Sequence, residues 1–243
     1  MPHPLQGAFD RVDRANEHIA EFETEQTAFG RAYHDNLSIE PNSKPPPDFC
    51  TREKFQVIPS DRSAILLGEI TYNFRAALDY LVFELAWKDS GSPQDFTQFP
   101  ICDLKKDFDR KAPRDMVGIS AAHQAAIERL QPYNRCNWTA VLRDISNPDK
   151  HRHLVRSDYG FRIRITTLPA PDLKGINAPM FRSECRAERP SGEKVNVYLA
   201  TEAPIMIRAR MPGGNIKIVP VIELLKQIEA GVRDTLEAFK PEF

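Results

Sequence analysis

Leu66-Leu67-Gly68-Glu69-Ile70-Thr71-Tyr72-Asn73-Phe74-Arg75-Ala76-Ala77-Leu78-Asp79-Tyr80-Leu81-Val82-Phe83-Glu84-Leu85-Ala86-Trp87 is the stretch on which the fold depends. At 100° per residue, Leu66, Leu67, Ile70, Phe74, Ala77, Leu78, Leu81 and Leu85 share one face. The opposite side is also apolar, with Tyr72, Ala76, Val82, Phe83, Ala86 and Trp87. A helix apolar nearly all round is expected to be covered on most sides, which predicts the central helix of a bundle. Asp61 or Ser60 can cap its start, and Ser90-Gly91-Ser92-Pro93 ends it.

Upstream, Leu5, Phe9, Val12, Ile19, Phe22, Phe29 and Tyr33 recur in steps that predict a helix over 5–35. Pro41-Asn42-Ser43-Lys44-Pro45-Pro46-Pro47 stops it, because proline has no N–H and forces extended backbone before it. Phe55-Gln56-Val57 reads as a short strand. Downstream, residues 94–118 read as irregular, anchored by Phe96, Phe99, Ile101 and Phe108. Ser120 caps a helix through Leu130, and Trp138, Val141, Leu142 and Ile145 mark another over 137–146. Asn147-Pro148 reads as a helix restart, with asparagine as cap and proline in the first turn.

From residue 159 the period becomes two. Phe161-Arg162-Ile163-Arg164-Ile165 alternates, and 181–185, 195–199, 205–210 and 216–218 continue as strands. The final stripe of Val221, Ile222, Leu225, Ile228, Val232, Leu236 and Phe239 predicts a helix over 220–239. The expected fold class is α+β: a helical bundle (about 5–155 and 220–239) with an inserted antiparallel β-sheet of four or five strands (about 159–219) before the C-terminal helix. Residues 1–243 read as a single domain, because the last helix must return to the bundle to hide its stripe.

The 243 residues fit one large domain or two small ones, at roughly 100–200 residues each. A net charge of −1, from 33 basic and 34 acidic residues, excludes a globally basic nucleic-acid coat. With 41% hydrophobic residues it also excludes a disordered acidic chain. No apolar run is long enough to cross a membrane, and the start lacks the basic and apolar regions of a secretory signal, so a cytoplasmic protein is expected. Cys50, Cys102, Cys136 and Cys185 contain no C-x-x-C pair, which argues against a zinc ribbon or redox dithiol and for four reduced thiols. The charge is uneven. Residues 150–218 carry 13 basic and 6 acidic side chains, so an anionic partner, RNA in particular, would bind there.

Two constellations carry chemistry. On the central helix, Arg75 and Asp79 are four apart and can pair, while Glu69, Asn73 and Tyr80 form a second line. They read either as a satisfied network that holds helix register or as an anion-binding arginine held by its neighbours. The second constellation is Asn147-Pro148-Asp149-Lys150-His151-Arg152-His153, two of the six histidines beside two cations at an expected helix start. No metal ligand set is assigned: His151 and His153 point about 200° apart on a helix, and there is no H-E-x-x-H. Phosphate loops, dinucleotide motifs and the G-x-S-x-G elbow are also missing, so no cofactor is expected.

Four blocks, Leu67 to Leu81, Thr97-Gln98-Phe99-Pro100-Ile101, Leu130-Gln131-Pro132-Tyr133 and Leu142 to Arg152, resemble a family of uncharacterised bacterial proteins with N-L-R-S-A-L-D-H-L and N-x-D-K-H-R motifs. The arginine-x4-histidine spacing of that family is similar to the signature of HEPN domains, all-helical and usually dimeric, many of them metal-independent ribonucleases of defence and toxin systems. Tyr80 stands where the HEPN histidine would be, and a phenol is a poor base at neutral pH. The resemblance implies an RNA-cleaving or RNA-binding protein of a bacterial defence or toxin type: either the activity is lost at Tyr80 or, for a metal-independent endoribonuclease, His151 is the base toward the RNA 2′-hydroxyl. Arg75 and Lys150 are the cations and Asp79 orients Arg75, while Asn73, Tyr80, Arg152 and His153 bind. It also implies a homodimer. The competing readings are a non-enzymatic interaction module with structural polar networks and a metal-dependent bundle enzyme. Whether the chain is an enzyme stays open among them.

Overall fold

The computed structural model describes residues 2–44, 47–57, 60–151, 158–159, 162–167, 180–202, 204–210 and 216–243. The side chains of 147–151, 158–159, 208–210 and 216 fall outside that description. The fold is α+β, with six α-helices among the described residues and small antiparallel sheets. Contacts divide the chain into two compact units, Met1–Phe22 with Ala64–Ser157 and Ile207–Phe243, and Glu23–Ser63 with Asp158–Met206. The sequence reading of one domain had taken the bundle and the inserted sheet together.

The first unit is helical. It holds the first part of α1 (Gln6–Asn36), α2 (Arg62–Ser90) from Ala64 onward, α3 (Lys105–Asp115), α4 (Ala121–Arg129), α5 (Asn137–His151) and α6 (Val221–Phe239). The predicted core face of α2 is buried: Leu67, Ile70, Phe74, Ala77, Leu78, Leu81 and Leu85 are shut off from solvent. Its other side is covered in part: Ala76, Val82 and Ala86 are buried, while Tyr72 and Trp87 are exposed. Helix α2 ends where the sequence predicts, with Gly91 in the left-handed region (φ 75°) returning its N–H to the Trp87 carbonyl at 2.8 Å. Helix α4 is capped by Ser120, whose hydroxyl accepts the His123 N–H. Helix α6 packs on α5 through Gly231, where a β-carbon would lie about 2.5 Å from the Trp138 ring.

Two segments correct the sequence reading here. Residues 105–115 are helical rather than irregular. The stripe of Phe108, Ala112 and Met116, one residue per turn, is too narrow to stand out among the charges of that segment, yet all three are buried. Helix α5 also runs through Pro148 without restarting. The proline removes one intrahelical bond, to the Asp144 carbonyl, and the helix absorbs that loss. The helix N-terminus expected at Asn147 as an anion site is therefore not formed.

The second unit combines the rest of α1 with a hairpin and a sheet. Strands β1 (Leu37–Pro41) and β2 (Phe49–Glu53) pair antiparallel, with Ile39 opposite Thr51, a hairpin that the proline run had hidden. Phe55-Gln56-Val57 is not a strand, because the Asn36 side chain brackets both the Phe55 N–H and its carbonyl. Strands β4 (Arg162–Thr166), β5 (Met180–Glu188) and β6 (Lys194–Glu202) form an antiparallel sheet in the order β4-β6-β5. Gly192, at φ 86°, makes the tight turn between β5 and β6. Strand β3 (Asp158–Tyr159) pairs antiparallel with the start of β7 (Ile205–Arg210), with Tyr159 opposite Ile205, apart from that sheet. The strands were expected in a single sheet. Instead the Ile205 N–H, at the start of β7, is taken by the buried Gln26 side chain at 3.1 Å.

The inner face of β4-β6-β5 packs on this unit's own helix and hairpin. Leu199, Tyr33 and Leu37 form a buried cluster, with Ile39, Val57 and Ile165 against it. Beside it the His34 ring is 2.8 Å from the Thr201 hydroxyl, and Arg31 lies over the Phe181 ring. Burial is the main cause that pushes the Tyr33 phenol up to about 12, helped by Glu53, which accepts its hydrogen bond.

Candidate functional site

The Arg75 and Asp79 pair of α2 grips the backbone of the 97–103 segment. Arg75 Nη2 donates to the Phe99 carbonyl at 3.0 Å, and Asp79 Oδ1 accepts the Phe99 N–H at 2.8 Å. The two side chains are 3.7 Å apart. Burial pulls the Arg75 guanidinium below the usual arginine value, with Asp79 and Asp115 partly offsetting it. The rest of the segment is held the same way. The Gln98 N–H goes to the Asp115 carbonyl at 2.9 Å. The fully buried Gln131 donates to the Pro100 carbonyl and accepts the Cys102 N–H, both at 2.9 Å. Arg143 spans Asp103 at 2.6 Å and Asp144 at 2.7 Å. Arg75 and Asp79, Phe99 and Pro100, Gln131, and Arg143 each come from one of the four sequence blocks, which thus meet in one clamp on an irregular segment. Backbone groups buried with Phe99 and Cys102 need such partners.

Asn73 and Tyr80 are joined by a residue that sequence reasoning left out. Arg11 of α1 donates to Asn73 Oδ1 at 3.3 Å and to the Tyr80 hydroxyl at 3.2 Å, with its guanidinium 5.6 Å from the Tyr80 ring centre. Asn73 in turn donates to the Glu69 carbonyl at 2.8 Å. The side chains of Lys150 and His151 lie outside the described residues, as do Arg152 and His153 altogether. No geometry therefore joins Arg75 to the base that the ribonuclease reading requires.

A groove of about 1070 Å³ opens in the first unit between α4, the turn before α5, and α6. At one end the His123 Nδ1 is 2.7 Å from Asp89 Oδ2, and its Nε2 is 3.7 Å from Glu242. Burial alone would raise the Asp89 pKa, but the Ser120 N–H and His123 outweigh it and hold the carboxyl below its usual value. Arg129, Arg135 and Trp138 line the other part, and neither arginine has an ion-pair partner among the described residues. A histidine oriented by a carboxylate can transfer a proton. The sequence held one local signal for it, the Ser120 cap that places His123 in the first turn of α4.

The outward face of β4-β6-β5 is the third candidate. Register places Arg164, Ala200 and Arg182 in one row, Thr166, Tyr198 and Glu184 in the next, and Asn196 and Arg186 in the third. Side chains alternate along strands, so these rows share one side of the sheet. Tyr198 therefore sits between Arg164 and Arg182 on one flank and Arg186 on the other. All three arginines are exposed, and none has an ion-pair partner among the described residues. The carboxylates of this face are engaged or matched. Glu184 accepts the Tyr198 hydroxyl, Glu202 is 3.9 Å from Arg162, and Glu188 lies opposite Lys194.

Among the described residues no group of three histidine, cysteine, aspartate or glutamate side chains is placed to hold a metal ion, and no helix is long and apolar enough to cross a membrane. All four cysteines are free. No family model, curated protein or solved structure matches the chain.

Proposed function

We propose that the protein binds single-stranded RNA on the outward face of β4-β6-β5 and does not cut it. The observation that carries this reading is Tyr198 flanked by Arg164, Arg182 and Arg186, three exposed cations without ion-pair partners among the described residues. Single strands are held by stacking of bases on aromatic rings, about 1–3 kcal/mol per base, and by cations along the phosphates. Arginine suits the second task because its planar fork meets two phosphate oxygens at once. Glu184 fixes the Tyr198 hydroxyl and so holds the ring against the sheet. The rows from Asn196 to Ala200 span about 13 Å of strand, enough for more than one contact.

Binding is favoured over cleavage by the commitments of Arg75. Its guanidinium is bonded to the Phe99 carbonyl and paired with Asp79, so it is not available as the cation of a phosphoryl transition state. The test is fluorescence anisotropy of a labelled mixed-sequence single-stranded RNA, in EDTA, across a salt series. Wild type should bind, with affinity falling by about 0.7 log units per log unit of salt for each phosphate contacted. An Arg164→Glu, Arg182→Glu double variant should bind at least roughly tenfold more weakly. Equal binding by the two proteins, or none by wild type at low salt, defeats the proposal. RNA shortened by wild type under these conditions defeats its second half.

A further inference from the structure

Helices α4 and α6 face the groove between them with small side chains, Ala122 and Ala126 from the first and Ala230 and Ala238 from the second. The space left, about 1070 Å³, is that of a small-molecule pocket. One face of the Trp138 indole lies on α6 at Gly231, where a β-carbon would be 2.5–2.6 Å from three adjacent ring atoms. The ring is half-buried and lines the groove with the rest of its surface.

Polar groups stand at the two ends. Arg129 and Arg135 are exposed beside Trp138, and neither has an ion-pair partner among the described residues. Arg135 is held in the left-handed region, φ 67°, at a cost that glycine would not carry. Such strain persists where the position of a side chain matters. At the other end the Asp89 carboxylate accepts from His123 Nδ1 at 2.7 Å. In the neutral ring Nε2 is then the acceptor. Glu242 is 3.7 Å from Nε2, beyond hydrogen-bond reach, so that nitrogen stays open to a donor. His123 and Arg129 are six residues apart on α4, which sets the two ends about 9 Å apart along the helix.

The geometry points to a binding site for a phenolic carboxylic acid, a flat ring with a short acid chain at one end and a hydroxyl at the other. Its carboxylate meets the guanidinium forks of Arg129 and Arg135. Its ring packs on Trp138 and the alanines, and its hydroxyl donates to His123 Nε2. A ring with a two-carbon acid chain spans the distance between the ends. Asp234 and Glu242 also line the groove, so each negative charge brought in stands near two carboxylates. That disfavours a dianion such as phosphate and favours a single carboxylate. The site shares no residue with the sheet face proposed for RNA, so either can fail alone.

The chain has two tryptophans, and Trp87 is exposed outside the groove, so Trp87→Phe leaves Trp138 as the reporter. Titration of that variant with para-hydroxyphenylpropionate should change the Trp138 emission saturably by about millimolar concentration. Adding Arg129→Gln and Arg135→Gln should weaken binding at least roughly tenfold, and so should replacing the acid by its neutral amide. Phenylpropionate, which lacks the hydroxyl, should bind roughly threefold more weakly or worse. Both arginines are exposed, so their replacement should leave the far-ultraviolet circular dichroism unchanged. No saturable change at millimolar acid overturns the inference. So does equal binding by the arginine variant or of the amide. Tighter binding of inorganic phosphate than of the acid overturns the carboxylate assignment, and phenylpropionate binding as tightly as the phenol overturns the role of His123.

Discussion

The clamp on residues 97–103 and the outward face of β4-β6-β5 use the same residue types to opposite ends. In the clamp, Arg75, Asp79, Gln131 and Arg143 each meet a partner, and residues 99–102 of the segment they hold are buried. On the sheet face, Arg164, Arg182 and Arg186 stand in solvent without ion-pair partners among the described residues. A buried polar group that is satisfied builds structure, and its removal leaves others orphaned. An exposed cation contributes little to stability and keeps its field for a ligand. The same amino acid thus argues for opposite roles, and its partners decide which.

The sharpest way to break this contrast is Arg75→Ala. It leaves the Phe99 carbonyl without its side-chain donor and removes the cation beside the Asp79 carboxylate, and should cost about 3 kcal/mol of stability in urea unfolding. RNA binding by the folded fraction should not change. Loss of RNA affinity with little loss of stability would instead return Arg75 to a ligand-facing role.

A smaller effect tests the inner face of the same sheet. Burial lowers the His34 pKa below its ordinary 6.5, so His34 is held neutral beside Thr201. The unfolded chain then binds more protons than the folded one. The His34 contribution is fully present above pH 6.5 and is lost as pH falls through the folded pKa. His34→Gln should flatten that part of the stability profile, measured by thermal melting from pH 7.5 to 5. An unchanged profile would mean that His34 does not carry the dependence.

The smallest effect is expected on the outer face. Arg182→Ala should shift stability by no more than about 0.5 kcal/mol, as exposed substitutions do, while weakening RNA. A large loss of stability there would make the sheet arginines structural and erase the contrast with the clamp.

The sequence by itself determined the features whose local period stands clear of prolines and charges. The spans of α1, α2, α4 and α6, the Ser120 cap, and the strands at β4, β5, β6 and β7 follow from period and capping, since these depend on residues within a turn or two. The pairing of Arg75 with Asp79 was legible for the same reason, being an i to i+4 relation. Only the tertiary structure decided what that pair holds, because the Phe99 peptide is 24 residues from Arg75 along the chain and belongs to no repeating element. Asn73 and Tyr80 are joined by Arg11, more than sixty residues away, and no period in α2 points to it. The hairpin β1–β2 and helix α3 escaped because prolines and charges masked short apolar signals. How much of the opposite apolar side of α2 is covered was likewise a tertiary matter. Hydropathy shows that a face is apolar, whereas burial depends on which elements the rest of the chain brings against it.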